Sequence, residues 1–192
     1  VAALAPAPVA AAPASAPPPP ASLIAPRLSL TDPTDVIFDA MYDLEFVETP
    51  WQAAQLCAAT LARALGARAV VIHAHDLVRR ELRAIATHGE GASEVLGSAE
   101  PSDDDLVGSA VLCNEKSVTM RFDGELPRLA PRRLSVMGAP RTLVAVPAIA
   151  WGRCPAVIEV LDADERYAPR VTDSTSYVAE RLAQFLSQRA AA

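Results

Sequence analysis

The feature that most constrains the fold of this chain is the stretch from Arg141 to Asp162, in which the break Trp151-Gly152-Arg153 separates two apolar runs. Apolar runs joined by so short a break predict a β-hairpin. The first run carries apolar side chains on both alternating faces, which is typical of a strand in the middle of a sheet rather than at its rim. Pro147 opposes this prediction, because a proline cannot donate a hydrogen bond to a neighbouring strand. The hairpin indicates a layered fold and does not indicate a reaction or a ligand.

Length and charge limit the classes of protein to which the chain can belong. Its 192 residues are enough for one domain of ordinary size. A net charge of -6 argues against a sequence-independent grip on nucleic acid or anionic lipid, which requires clustered Lys and Arg. No uninterrupted apolar run approaches the ~20 residues of a membrane span. We therefore expect neither nucleic acid nor a membrane as a partner, and a cytoplasmic location.

The three cysteines, Cys57, Cys113 and Cys154, lie far apart and are odd in number. This pattern favours free thiols in a reducing compartment over a disulfide framework. The sequence contains no CxxC pair, no GxSxG elbow and no phosphate-binding glycine loop. We predict no catalytic residue and no enzyme activity from these patterns.

The first 29 residues consist mostly of Ala and Pro and include the run Pro17–Pro20. Such a segment cannot build a core, and its prolines favour an extended polyproline II conformation. We interpret residues 1–29 as a linker, although a ligand for a proline-recognising groove is the alternative. Because the chain begins with Val and a spacer, we expect a domain of the same protein upstream, and residues 30–192 as the ordered domain.

Capping residues and apolar periodicity predict the order of the elements. Asp32 and Thr49 are suitable caps for two consecutive helices, and Gly66 is suited to end the second. Ser102 is the expected cap of a third helix, and the last helix begins near Thr172 or Asp173. The predicted strands are 69–75, 81–87, 117–120 and the two arms of the hairpin, with a long loop over 121–140.

Two groups of residues could hold a metal ion. His73 and His75 are two apart in a strand, so their rings share one face, but no third ligand can be placed and we favour structural histidines. Asp103, Asp104 and Asp105 are adjacent, whereas divalent sites draw ligands from spaced positions. We interpret these three carboxylates as the start of a helix and predict no metal site.

Charged residues in and beyond the long loop leave two questions open. Its arginines could face a phosphate or carboxylate ligand, but we favour a solvated surface loop. Glu159 lies within the second arm of the hairpin, where a carboxylate needs a partner or water. It can pair with an arginine, line a cavity or face solvent. The basic residues concerned are Arg121, Arg128, Arg132, Arg133 and Arg141.

The order of these elements resembles that of a GAF domain over about residues 31–190. The resemblance is carried by residues 65–69 and 82–89, and most strongly by 141–147 followed by 157–161. It implies an α+β fold with a central antiparallel sheet of about six strands and the terminal helices on one face. It also implies a small-ligand pocket on the other face, and that a proline is common where Pro147 stands.

The resemblance limits which ligand can be expected. Ala156 stands where the family has a glycine, and Asp162 and Ala163 replace the first pair of the cyclic-nucleotide signature. No cysteine matches a bilin attachment site. We therefore expect neither a cyclic nucleotide nor a bilin, and the cofactor stays unknown.

Three hypotheses for the function follow. The first is a non-catalytic GAF-like regulatory module in a larger signalling protein. The second is a pocket-less interaction domain that forms a homodimer through the terminal helices at 33–65 and 172–189. The third, which we do not favour, resembles the thiol-dependent GAF-type methionine sulfoxide reductases. If the pocket of the first hypothesis is open, the expected lining residues are His88, Met120, Arg121, Arg141, Val144 and Glu159.

Overall fold

The computed structural model describes residues 32–190 of the chain. The linker predicted for residues 1–29 lies outside the described residues. Within 32–190 the chain forms five α-helices and six β-strands, with short 3-10 turns at 44–46, 92–94 and 165–170. The bounds are α1 Pro33–Asp43, α2 Pro50–Leu65, β1 Ala69–Asp76, β2 Glu81–Gly89, β3 Ala99–Pro101, α3 Leu106–Asn114, β4 Val118–Arg121, α4 Arg132–Val136, β5 Thr142–Ala150, β6 Arg153–Leu161 and α5 Val171–Ala190.

All six strands belong to one antiparallel sheet in the order β3-β2-β1-β6-β5-β4. The predicted hairpin is confirmed as β5 and β6, and β6 lies at the centre between β1 and β5. Ala150 pairs with Arg153, so the turn consists of Trp151 and Gly152 alone. Pro147 is tolerated because β4 pairs only with residues 142–145, which leaves β5 without a partner on that side at position 147.

Local sequence explains the helices that begin the domain. The Asp32 side chain caps α1 by accepting a hydrogen bond from the Thr34 N–H. Thr49 and Gln52 form a reciprocal capping box at the start of α2. Gly66 ends α2 in the left-handed conformation that glycine adopts without strain. These caps confirm the predicted starts of both helices and the end of α2.

The sheet separates two apolar cores because alternate strand residues point to opposite faces. One core lies between the sheet and α1, α2 and α5, and we call this side the helix face. The other lies under α3, α4 and the loops around them, and we call this side the distal face. In β6, for example, Ile158 and Val160 join the helix-face core, while Val157 and Leu161 join the distal core.

Two predictions about the distal side were wrong. The cap of α3 is Asp105 rather than Ser102, because the Asp105 side chain accepts the N–H groups of Val107 and Gly108. The segment expected as a solvated loop over 121–140 contains α4 and buries Leu134 and Met137 in the distal core. Among the described helices, none is long and apolar enough to cross a membrane.

Candidate functional site

Glu159 occupies the middle of the distal face. In the sheet register it lies opposite Val71 of β1 and Ala145 of β5, and all three residues are fully buried. Its neighbours on the same face of β6 are the apolar residues Val157 and Leu161. An ionised carboxylate in such surroundings requires a charged partner and further hydrogen bonds.

The partner is Arg133, whose side chain is only 1% exposed. It projects from α4 and its Nε donates to Oε2 of Glu159 at 2.9 Å, while Nη2 donates to Oε1 of the same carboxylate. Nη1 donates to Oδ2 of Asp105 and to Oε2 of Glu100, both at 2.5 Å. The backbone N–H of Arg133 also donates to Oε1 of Glu100 at 3.2 Å. One guanidinium therefore joins three carboxylates from three different elements.

Two further sets of contacts hold the Glu159 and Asp105 carboxylates in place. Nε2 of His73, in β1, lies 3.2 Å from Oε2 of Glu159. Asp105 is held in place because its other oxygen accepts the N–H groups of Val107 and Gly108 at 3.0 and 2.9 Å. A Cβ at position 108 would lie 3.1 Å from the Asp105 carboxyl carbon, so a glycine permits this close approach. We call Arg133, Glu159, Asp105, Glu100 and His73 the buried ion cluster.

The buried ion cluster carries more negative than positive charge. Three carboxylates face one guanidinium, and the formal charges of these four groups sum to about -2. Burial alone would raise the pKa of Glu159, but the charges of Arg133 and His73 and their hydrogen bonds hold that pKa well below its ordinary value of 4.5. Burial alone would lower the pKa of Arg133, but Glu159 and then Asp105 raise it. Both groups are therefore ionised at neutral pH.

A cleft of about 440 Å³ opens from this cluster to solvent. Arg133, Asp105 and Glu100 form part of its inner wall, and Val95, Ala99, Pro131 and Val136 are among its apolar lining residues. Its outer charged residues are Glu94, Asp104 and Arg132, which are exposed. The lining thus combines apolar walls with charged groups of predominantly negative sign, an arrangement suited to a polar small ligand with positive charge.

The structure places the six predicted lining residues in different parts of the domain. Glu159 lies in the buried ion cluster. Val144 belongs to the helix-face core, so it and Glu159 do not line one pocket. His88, Arg121 and Arg141 are exposed and Met120 is half-buried; these four lie outside the cleft lining. Their role as ligand-binding residues stays a prediction.

Sequence reasoning missed four residues of the cluster as site residues, although it noted that Glu159 can pair with an arginine. Arg133 is one of five similar basic residues in and after the loop, and its neighbour Arg132 is exposed. Asp105 is the last of three adjacent aspartates, and only its position as helix cap distinguishes it. The usable signal was the need of a central-strand carboxylate for an arginine, and nothing in the pattern ranks one arginine above the others.

Outside the buried ion cluster, His75, Cys57 and Cys154 are partly or fully buried. Among the described residues, no group of three or more His, Cys, Asp or Glu side chains is arranged to hold a metal ion. Nδ1 of His75 lies 3.2 Å from the backbone oxygen of Cys154. Burial raises the pKa of Cys57 to about 12 and that of Cys154 to about 11, so both thiols are protonated at neutral pH.

Solved structures identify the architecture. The GAF domain of a phosphoenolpyruvate-protein phosphotransferase (ptsP) from Coxiella burnetii superimposes with a TM-score of 0.72 at 19% identity, over 85% of this chain and 97% of that one. The GAF domain of NLH2 from A. aeolicus, in an inactive state, gives a TM-score of 0.68 at 14% identity, over 82% and 97%. The chain has the GAF-domain fold.

An enzyme also shares this fold. The free methionine-R-sulfoxide reductase from Neisseria meningitidis, solved with its substrate, gives a TM-score of 0.65 at 17% identity, over 83% of this chain and 92% of that one. No protein-family model matches the sequence, and no curated protein does. In this GAF fold the buried ion cluster lies on the face of the sheet away from the terminal helices.

Proposed function

We propose that this protein is a non-catalytic sensory or regulatory GAF module that binds a small ligand at the buried ion cluster and the cleft beside it. The observation that carries the proposal is the joining of three carboxylates from different elements to one guanidinium, beside a cleft that is lined in part by Arg133, Asp105 and Glu100. Buried charged groups beside a cavity are an arrangement in which ligand sites occur.

The sheet provides a short route from this site to the terminal helices. Glu159 faces the cluster, while Ile158 and Val160, the residues on either side of it in β6, pack into the helix-face core with α5. A change in the position of Glu159 therefore reaches α5 through the thickness of one strand. The relay that we propose uses this contact and moves α5 relative to the sheet.

We extend the proposal to the setting of the domain. Residues 30–192 act as the regulatory domain, residues 1–29 as a linker, and an upstream domain of the same chain as the partner that is controlled. The proposed location is cytoplasmic, and the acidic net charge supports a partner other than nucleic acid or an anionic membrane.

Native mass spectrometry of the chain, purified under mild conditions, tests ligand binding. We expect a population with the mass of the chain plus a small compound in wild type. Glu159→Gln removes the central charge of the cluster and should abolish this population, whereas the exposed control Glu165→Gln should keep it. Bare protein in every wild-type preparation, with no response of its melting temperature to a library of small metabolites, would contradict the proposal.

A specific observation favours a second candidate, a homodimerisation domain. Phe38, Tyr42 and Phe46 recur every fourth residue along α1 and the turn that follows it, and their exposed fractions are 48%, 69% and 83%. Three aromatic side chains in one exposed row are typical of an interface. We propose that two copies of the chain associate through this row and α5.

Light scattering on a size-exclusion column measures the molar mass that tests the dimer. Tyr42→Glu combined with Phe46→Glu should convert the expected dimer to a monomer, because two charges would be buried in an apolar contact. The matched control is Val78→Glu, which adds a charge at an exposed apolar residue in the β1–β2 turn and should leave the dimer intact. A wild-type monomer at high protein concentration would contradict dimerisation without affecting the ligand proposal.

A further inference from the structure

We propose that Glu159, Asp105 and Glu100 form a guanidinium-binding site that is closed in this structure by the chain's own Arg133, and that a free guanidinium ligand enters by displacing the segment that carries it. This segment is Phe122–Ala139, and we call it the plug. The inference rests on the proposed function, because it names the ligand class of the same site.

The first argument is the geometry of the donors and acceptors. Nε and Nη2 of Arg133 address the two oxygens of Glu159, and Nη1 lies between Asp105 and Glu100. Such paired contacts match the planar fork of a guanidinium or amidinium group, and an ammonium group cannot reproduce them. The carboxylates therefore select this chemical group whether it comes from Arg133 or from a free molecule.

The second argument is the excess of negative charge. One buried carboxylate would neutralise Arg133, but two are fully buried and a third is half-buried. Uncompensated buried charge is costly, and more positive charge nearby would stabilise the site. Glu94 and Asp104 add two exposed carboxylates to the cleft, against one further arginine, Arg132. A ligand with a guanidinium at one end and an amine at the other matches this distribution.

The third argument is how the plug is attached. Apart from those of α4 itself, the backbone–backbone hydrogen bonds of residues 122–139 recorded within the described part of the chain all have partners inside 122–141. The plug is held on the sheet by contacts that involve side chains: Arg133 in the cluster, the Arg133 N–H donating to Glu100, Arg68 donating to the backbone oxygen of Met137, and the buried Phe122, Leu134 and Met137. A helix of five residues has little stability of its own. The plug can therefore leave without breaking the ladder of any strand.

The tether determines what a competing ligand needs. A side chain on a short flexible segment competes at an effective concentration on the order of millimolar, and the burial of Leu134 and Met137 makes Arg133 a stronger competitor than that. A bare guanidinium ion offers no contact beyond those of Arg133, so it displaces the plug poorly. A longer ligand gains contacts with Glu94 and Asp104 in the cleft. Agmatine, which carries a guanidinium and a primary amine, is the probe that meets both requirements.

Hydrogen–deuterium exchange of the wild-type chain tests displacement directly. With agmatine raised from about 10 mM to about 100 mM, above the effective concentration of a flexibly tethered side chain, we expect faster exchange in residues 122–139 and unchanged exchange in β1, β5 and β6. Putrescine, a diamine without a guanidinium, is the matched control ligand and should have no effect. Unchanged exchange in the plug with agmatine, or an equal response to putrescine, would overturn the inference.

A pair of variants tests the site without the plug's own arginine. Arg133→Gly empties the guanidinium position and should bind agmatine at least about tenfold more tightly than wild type in calorimetry, because the tethered competitor is gone. The matched control, Arg128→Gly, alters an exposed arginine of the plug that lies outside the cleft lining and should bind like wild type. A folded Arg133→Gly protein that does not bind agmatine contradicts the inference, and the wild-type exchange experiment decides if this variant does not fold. A co-purified ligand that lacks a cationic group would refute this inference while leaving the proposed function standing.

Discussion

Glu159 and Arg133 determine how the stability of the domain responds to pH. The charge of Arg133 and its hydrogen bonds outweigh burial and hold the pKa of Glu159 below the value of 4.5 that it has when unfolded. A group whose pKa is lowered by folding stabilises the folded state above its unfolded pKa, and this contribution is lost as the pH falls. The pair therefore stabilises the domain at neutral pH and ceases to do so in acid.

The first prediction concerns this acid response. The free energy of unfolding, measured by urea denaturation with circular dichroism, should fall steadily as the pH is lowered below about 4.5. Glu159→Gln should be less stable at pH 7 by about 3–5 kcal/mol, because Arg133 loses its main partner, and should show a shallower fall in acid. A wild-type stability that is flat between pH 5 and pH 3 would contradict this account.

The second prediction reverses the sign of the pH response. Arg133→Met leaves Glu159 and Asp105 buried without a cation, which should cost about 3–5 kcal/mol at pH 7. Without Arg133, burial raises the pKa of Glu159 against the lowering effect of His73. We expect burial to outweigh His73, so acidification should stabilise this variant before the rest of the domain unfolds. Arg132→Met, at the exposed neighbouring position, is the control and should follow the wild-type curve.

The third prediction tests the close approach of two backbones at Gly89. This residue has φ near +104°, and a Cβ there would lie 2.1 Å from the backbone oxygen of Arg68. Gly97 has a similar φ of +82°, but a Cβ there would meet nothing within 4 Å. In matched urea titrations, the free energy of unfolding should fall by only about 1 kcal/mol in Gly97→Ala, which adds backbone strain alone. It should fall by several times as much in Gly89→Ala. Equal losses would show that the contact relaxes without cost.

At the scale of elements, the β5–β6 turn is stable despite an unfavourable residue. Trp151 and Gly152 both have positive φ, +56° and +69°, as a two-residue turn of type I′ requires. Gly152 adopts this conformation freely, whereas Trp151 does so with strain and with its side chain 88% exposed. The tryptophan therefore contributes little packing to the fold.

The fourth prediction follows from this turn. Trp151→Asn should raise the free energy of unfolding by about 0.5–1 kcal/mol, since asparagine is favoured at the first position of such turns. Trp151→Val should lower it by about 1–2 kcal/mol, because a β-branched residue is strained at positive φ. Thermal unfolding of the three proteins gives the ranking. A loss of stability in Trp151→Asn would show that the indole makes a contact that matters.

The sequence predicted the elements whose boundaries have their own local signals. Thr49 and Gly66 mark α2, and two apolar runs with a short break mark the central hairpin. The order of these elements was sufficient to indicate the fold. α4 has no comparable signal, because five residues between prolines show no period and become helical only when Leu134 and Met137 find the distal core. The site depends on α4, so it could not be predicted from the same information.

At the scale of the whole molecule, ionisable groups are unevenly divided between the two faces of the sheet. In the described part of the chain, the buried charged residues Arg133, Glu159 and Asp105 all belong to the distal side. Apart from the Cys57 thiol, the buried polar residues of α2 and α5 are Thr60 and Thr175, which do not titrate. The pKa of Cys57 is about 12, so this thiol is already neutral in acid.

The fifth prediction is that acid loosens the distal face before the helix face. At a pH just below the start of acid unfolding, hydrogen exchange should accelerate in α3 and in the plug, which includes α4. Helices α2 and α5 and strands β1 and β6 should remain protected. The physical reason is that protonation of Glu159 removes the charge that holds Arg133 and the plug on the distal face, and leaves the helix-face core unchanged. Simultaneous acceleration of exchange on the distal face and the helix face would show that the elements on both faces unfold as one unit.

The single layer of strands between the two cores has a consequence for the relay that we propose. Because the backbone ladder of the sheet does not depend on the plug, the plug can leave and return while the strands keep their register and the long helices stay packed behind them. The plug can therefore detach and rebind repeatedly while the rest of the domain stays folded. In the relay that we propose, the long helices respond to a loss of packing on the opposite face of the sheet.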